Sequence, residues 1–163
     1  AIALVSLMEA ADRVDSTTGV QMAYLKQWSA RSHQPLRLRV PELLDGTGCA
    51  SCFDAARAAR EVEADLAYLD PPYNQHSYLG NYHVWESLVR WDRPDVYGVA
   101  MKRRDVRERG SAFNRRGAIE LALREVVQAL RARWILVSFS DEGFLTPDQI
   151  EALLAERGTV TRR

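Results

Sequence analysis

A chain of 163 residues and 18.5 kDa has the length of one domain, and 47% apolar with 27% charged residues is a globular balance, not a disordered one. Its 22 Lys and Arg match its 22 Asp and Glu, which excludes an even coat of basic charge but not a local basic surface. No apolar run reaches the roughly 18 residues of a membrane span, and two cysteines cannot build a disulfide scaffold, so a cytoplasmic setting is expected.

Ala1 to Met8 is too short for a signal peptide and lacks its basic flank. The chain opens on Ala1 and not Met, running straight into apolar periodicity, which reads as part of something longer. Ile2, Leu4, Val5, Met8, Ala11 and Val14 recur at helical spacing and predict an amphipathic helix over 2–14. Ser16-Thr17-Thr18-Gly19 interrupts it and suits the start of a second helix, Val20 to Trp28. Leu36-Arg37-Leu38-Arg39-Val40 alternates apolar and basic residues, the period of a half-exposed strand, and Cys49 to Phe53 reads as another. An Ala/Arg-rich helix follows over 55–62.

Leu66-Ala67-Tyr68-Leu69 is a continuous apolar run that suits a strand buried on both faces, and Pro71 and Pro72 forbid its continuation. Polar residues 74–81 lead into a helix from Tyr82 to Arg90, and 91–116 form a charged loop. A helix over 118–133 precedes a second buried strand, Trp134 to Phe139. Thr146-Pro147-Asp148-Gln149 holds an N-cap, a first-position proline and the glutamine of a capping box. Gly158 stops that helix, and Thr159-Val160-Thr161 suits a last strand. Helices alternating with buried strands predict an α/β domain with a largely parallel sheet. The division expected is a helical segment, 1–35, continuous with an α/β core, 36–163.

Asp70-Pro71-Pro72-Tyr73 lies at the carboxyl end of a predicted strand, where open α/β sheets bind ligands. Asp70 is an acceptor, Pro71 keeps its carbonyl, the Pro71-Pro72 unit fixes where that carbonyl points, and Tyr73 adds a flat ring. Two acceptors beside a ring suit a planar amine such as the exocyclic amino group of a base. The same residues also suit a plain proline turn with Asp70 bonding a neighbouring amide. Asn74, Gln75, His76, Tyr78, Asn81, Tyr82 and His83 crowd the next ten positions, more polar and aromatic side chains than a turn requires.

The run Leu69 to His76, with Tyr78 and Asn81-Tyr82-His83, resembles the catalytic motif of DNA adenine-N6 methyltransferases of the Dam-like class. The likeness extends to Ala11 to Val14, Ser16 to Gly19, Tyr24 to Lys26, Gly98-Val99, Ser111 to Arg116 and Ser138 to Gly143. It implies a Rossmann-like methyltransferase fold, with S-adenosylmethionine as methyl donor and double-stranded DNA as partner. It further implies that Asp70 and the Pro71 carbonyl hold the target amine while Tyr73 stacks on a flipped adenine. Asn74, His76, Tyr78, Asn81, Tyr82 and His83 are then expected against the substrate. Asp54 stands where the family often contacts the cofactor, though it suits a helix N-cap equally well; Asp70 would also face the cofactor.

The family's first strand ends in a glycine-rich loop, which is not found here. Asp45-Gly46-Thr47-Gly48 reads as a turn, and the stretch from there to Asp70 is too short for another strand-helix-strand set. The fold is therefore expected to be incomplete, a C-terminal portion. Residues 90–116 carry nine Lys or Arg against four acids, whereas 42–70 carry two against seven, so neutrality conceals a charge dipole. The basic stretch, above all Lys102, Arg103 and Arg104, is expected at DNA phosphates. Cys49 and Cys52 are read as small core residues, and no metal is expected. The alternatives are an RNA base methyltransferase and a nucleic-acid-binding fragment without catalysis. The recognition sequence and any restriction endonuclease partner are not legible in the residues.

Overall fold

The structure is a computed structural model and describes residues 1–17, 20, 21 and 26–162. In chain order its elements are α1 Ile2–Val14, α2 Ala55–Glu61, β1 Glu63–Leu69, α3 Tyr78–Asn81, α4 His83–Arg90, β2 Val96–Tyr97, β3 Lys102–Arg103, α5 Ile119–Ala129, β4 Arg131–Val137 and α6 Pro147–Ala155. Short 3-10 turns cover Ala30–His33, Arg104–Arg107 and Ala112–Asn114. Of the expected second helix, residues 22–25 lie outside those described, and 20, 21 and 26–28 are turn or irregular chain, not helix. Contacts group the chain into two units, residues 1–48 with 78–109 and residues 49–77 with 110–163.

The second unit is a small mixed α/β body. β1 and β4 pair in parallel, Leu66 opposite Trp134 and Tyr68 opposite Leu136. The helices α2, α5 and α6 supply most of the core through Ala59, Ile119, Leu123, Val126, Val127, Ile150 and Leu153, with Phe113 and Leu145 from loops. Asp54 caps α2 by accepting from Ala56 N at 3.0 Å. Thr146 and Gln149 complete the capping box of α6, Gln149 N donating to Thr146 Oγ1 at 3.2 Å and Thr146 N to Gln149 Oε1 at 2.8 Å.

The two strands are not buried on both faces. Leu69 and Ile135 pack against the helical core, but Leu66, Tyr68, Trp134 and Leu136 share the opposite face and are each 56–62% exposed. Period-2 geometry gives each strand two faces, and the helices here cover one of them. α5 is shorter than its apolar periodicity suggested, because Leu130 turns to extended backbone and Arg131–Arg133 already belong to β4.

Segments 36–40 and 49–53 are not strands but exposed irregular chain, since no ladder partner lies beside them among the described residues. Cys49 and Cys52 are consequently exposed, not core. Residues 159–161 are likewise irregular.

In the first unit α1 contacts α4 and the 30–33 turn. Its buried face centres on Ala10 and Ser6, whose hydroxyl accepts from Arg39 N at 3.1 Å. β2 and β3 make an antiparallel hairpin. No described helix is long and apolar enough to cross a membrane.

Candidate active site

The carboxyl end of β1 stays tied to β4, with Ser138 N donating to the Leu69 carbonyl at 2.9 Å. Asp70 comes next and is exposed, while Pro71, Pro72 and Tyr73 are half-buried. The two prolines lack N–H groups, so this turn offers acceptors and almost no donors.

Tyr73 is held from behind. Its carbonyl accepts from Phe144 N at 2.8 Å, and its ring leans on Phe139 with centroids 6.0 Å and planes 57° apart. Phe139 itself packs against the helical core. A Cβ at Gly143 would lie 2.5 Å from Phe139 Cε1 and 2.9 Å from the Ser140 carbonyl, so only glycine leaves that ring in place.

Asn74 Oδ1 accepts from His76 N at 2.9 Å, closing an Asx turn. Asn114 Nδ2 then donates to the carbonyls of Asn74 and His76 at 2.8 and 3.1 Å. Asn114, Phe139, Gly143 and Phe144 thus fix the turn, a role the sequence reading did not give them. The available signal was that three of these four fall inside the family-like stretches 111–116 and 138–143.

Tyr78, Asn81, Tyr82 and His83 belong to the first unit, as do Lys102, Arg103 and Arg104. The Tyr78 and Tyr82 rings stack at 6.2 Å and 18°, both partly exposed. His83 departs from its expected place at the substrate. It is 3% exposed, and its Nε2 donates to the Gln21 carbonyl at 3.0 Å. The Asn81 carbonyl accepts from Gln21 N at 2.6 Å. With its amide oriented to satisfy both ends, Gln21 also donates to that carbonyl and accepts from Trp85 Nε1 at 3.1 Å. These bonds tie Gln21 to the start of α4. Burial holds the His83 imidazole below the ordinary histidine value. The Gln21 bond opposes that shift, and the Lys102 and Arg103 charges reinforce it.

Arg103 departs further. It is 3% exposed, and all five of its N–H groups find acceptors. Nη1 and Nη2 grip the Asp92 carboxylate at 2.6 and 2.9 Å, and Nε and Nη2 grip Asp105 at 3.1 Å each. Nη1 also donates to Ser87 Oγ at 3.0 Å, whose hydroxyl donates on to the His83 carbonyl at 3.1 Å. The bonds from Arg103 hold both carboxyls below the usual carboxylate range. A guanidinium spent in this way has nothing left for a phosphate. Arg90 and Arg109 join the same acids and Glu86, whereas Arg104 remains exposed and Lys102 half-buried.

Asp54 uses Oδ1 for its cap, and Oδ2 has no hydrogen bond among the described residues. No group of three or more His, Cys, Asp or Glu among the described residues is placed to hold a metal ion.

Residues 1–150 match the family described as D12 class N6 adenine-specific DNA methyltransferase. The chain is 32% identical to the type II methyltransferase M.FokI of Planomicrobium okeanokoites over 95% of its own length and 24% of that protein. It is 31% identical to the modification methylase StsI of Streptococcus sanguinis over 94% of the chain and 24% of the relative. With the type II methyltransferase M.NlaIII of Neisseria lactamica the identity is 27%, over 95% of the chain and 46% of the relative. The chain therefore spans a quarter to a half of the relatives it matches. No solved structure matches it.

Proposed function

The chain belongs to the D12 class N6 adenine-specific DNA methyltransferase family, and from that premise we propose that it carries the catalytic turn of an enzyme that methylates the N6 amino group of adenine in double-stranded DNA. The observation that carries the reading is the state of the turn itself. Asp70 stands exposed at the end of a parallel strand, next to a Tyr73 fixed by Phe144 and Phe139. In this reading β1 and β4 are part of a larger Rossmann-like sheet, which accounts for their apolar open face.

The chemistry assigned to the residues follows from their donors and acceptors. The lone pair of an adenine amino group is delocalised into the ring, so the amine is a poor nucleophile. Accepting one N–H at the Asp70 carboxylate and the other at the Pro71 carbonyl draws density back to nitrogen and favours a tetrahedral amine. Pro72 keeps the Pro71 carbonyl from swinging, and the Tyr73 ring offers a face on which a flipped base stacks. Lys102 and Arg104 are assigned to phosphates, and Arg103 to holding the segment that carries them. Asn74, His76, Tyr78 and Tyr82 stay assigned to the substrate side.

Methyltransferases of this family use S-adenosylmethionine, which supplies the methyl group when bound. The described residues fit it only in part. Asp54 Oδ2 and Asp70 are acceptors open to it, but no glycine-rich turn follows a strand ahead of β1.

Labelled methyl transfer to duplex DNA tests the reading. Asp70→Ala is expected to abolish transfer with the circular dichroism spectrum unchanged, and retained turnover would remove Asp70 from the role. Modification of RNA alone would move the substrate class.

A further inference from the structure

Two residues of the first unit stand in left-handed backbone without being glycine. Trp91 has φ 52° and ψ 41° at the end of α4, and Met101 has φ 50° in the turn between β2 and β3. At such positions glycine or asparagine is the undemanding choice, because an L side chain there crowds its own backbone. The turn does use a glycine where its backbone next requires one: Gly98 has φ 70°, and its carbonyl accepts from Met101 N at 3.1 Å.

The two side chains do little for the fold. Trp91 is 81% exposed and Met101 62%, with Val99 of the same turn at 75%. Large apolar groups at strained positions, facing water, gain their benefit outside the folded chain.

Their placement is nonetheless rigid. Trp91 directly precedes Asp92, and Met101 stands two residues before Arg103, the two ends of the 2.6 and 2.9 Å ion pair. Arg104 N also donates to the Asp95 carbonyl at 2.7 Å, closing the base of the hairpin. An exposed cation follows each closely in the chain, Arg93 after Trp91 and Arg104 after Met101, whereas Arg90 is taken up by Glu86, Asp92 and Asp105. Apolar groups with exposed cations close by complement a surface of stacked bases edged by phosphates.

We propose that Trp91 and Met101, held by the Arg103 ion pair and followed closely by the exposed Arg93 and Arg104, are an apolar wedge that the protein presses into a groove of the DNA duplex. The inference rests on the reading of duplex DNA as substrate. Proteins that seat apolar side chains against base steps unstack them in part, and a base beside a loosened step leaves the helix more easily.

Duplex binding by the full chain, measured by fluorescence anisotropy across a salt series, tests this with Trp91→Gly, Met101→Gly and Arg104→Ala. Both glycine variants are expected to keep or raise Tm. They should weaken duplex binding by about fivefold or more while leaving the slope of log K against log salt unchanged, because no charge is lost. Arg104→Ala should lower that slope by about one. Unchanged affinity in both glycine variants, with the wild type bound, overturns the wedge and leaves the DNA reading standing. A fall in Tm in both would show that the side chains serve the fold, which overturns it too. Absence of duplex binding by the wild type removes the DNA reading and the wedge with it.

Discussion

The turn after β1 and the knot around Arg103 are built by opposite means. The turn is fixed by neutral groups: backbone amides, the Asn114 amide and the Phe139 ring surround Tyr73 to His76, and the Asp70 carboxylate is left outside that scaffold. In the knot the charges are themselves the scaffold, and every Arg103 proton is consumed. A charged residue is free for chemistry where packing and amides bear the structure. Where charges bear the structure, they are withdrawn from ligands, so a count of cations in a segment overstates what it offers to phosphates.

Removing the guanidinium breaks the contrast most severely. Arg103→Ala leaves Asp92 and Asp105 facing one another across a buried gap. It is expected to lower Tm more than Gly143→Ala or Asp70→Ala does, with faster hydrogen exchange over 83–105 and little change over 70–76. Equal acceleration in both stretches would show that the two constructions are not separate.

Gly143→Ala attacks the other side. Its methyl group meets Phe139 at 2.5 Å, an overpacking cost of about 1–3 kcal/mol. Since Phe139 supports Tyr73, methyl transfer should fall about tenfold or more with duplex affinity kept. Exchange over 83–105 should not change.

The smallest effect is one of pH. His83 has its folded value lowered, so the stability it contributes is full above about 6.5 and is lost as pH falls below that. Asp92 and Asp105 are lowered too, and what they contribute stays until about pH 4 and is lost below it. A thermal-unfolding series should therefore show two descents, and His83→Asn should erase the upper one only.

The turn from Asp70 to Tyr73 was legible because its meaning is local: two prolines end a strand wherever they stand, and Asp70 and Tyr73 flank them. The caps were legible for the same reason, as Thr146 with Gln149 and Asp54 with Ala56 show. Arg103 was not, because nothing in the run Lys102-Arg103-Arg104 tells which cation will turn inward to acids eleven residues back and two ahead. His83 was hidden likewise, its partner lying at Gln21. The strands expected over 36–40 and 49–53 failed for want of a neighbour, since alternation says which way side chains would point but not that a ladder exists. The Asn114 amide and the Phe139 ring needed β4 to be laid beside β1 before they had anything to hold.

The bare face of the sheet has a calorimetric consequence. Leu66, Tyr68, Trp134 and Leu136 are already in contact with water in the folded chain, so unfolding hydrates less new hydrocarbon than the chain length suggests. The heat-capacity increment should accordingly lie below the usual ~12–15 cal/mol/K per residue. The stability curve of the chain is then broad and shallow, changing little with temperature near its maximum, and it steepens when that face is covered.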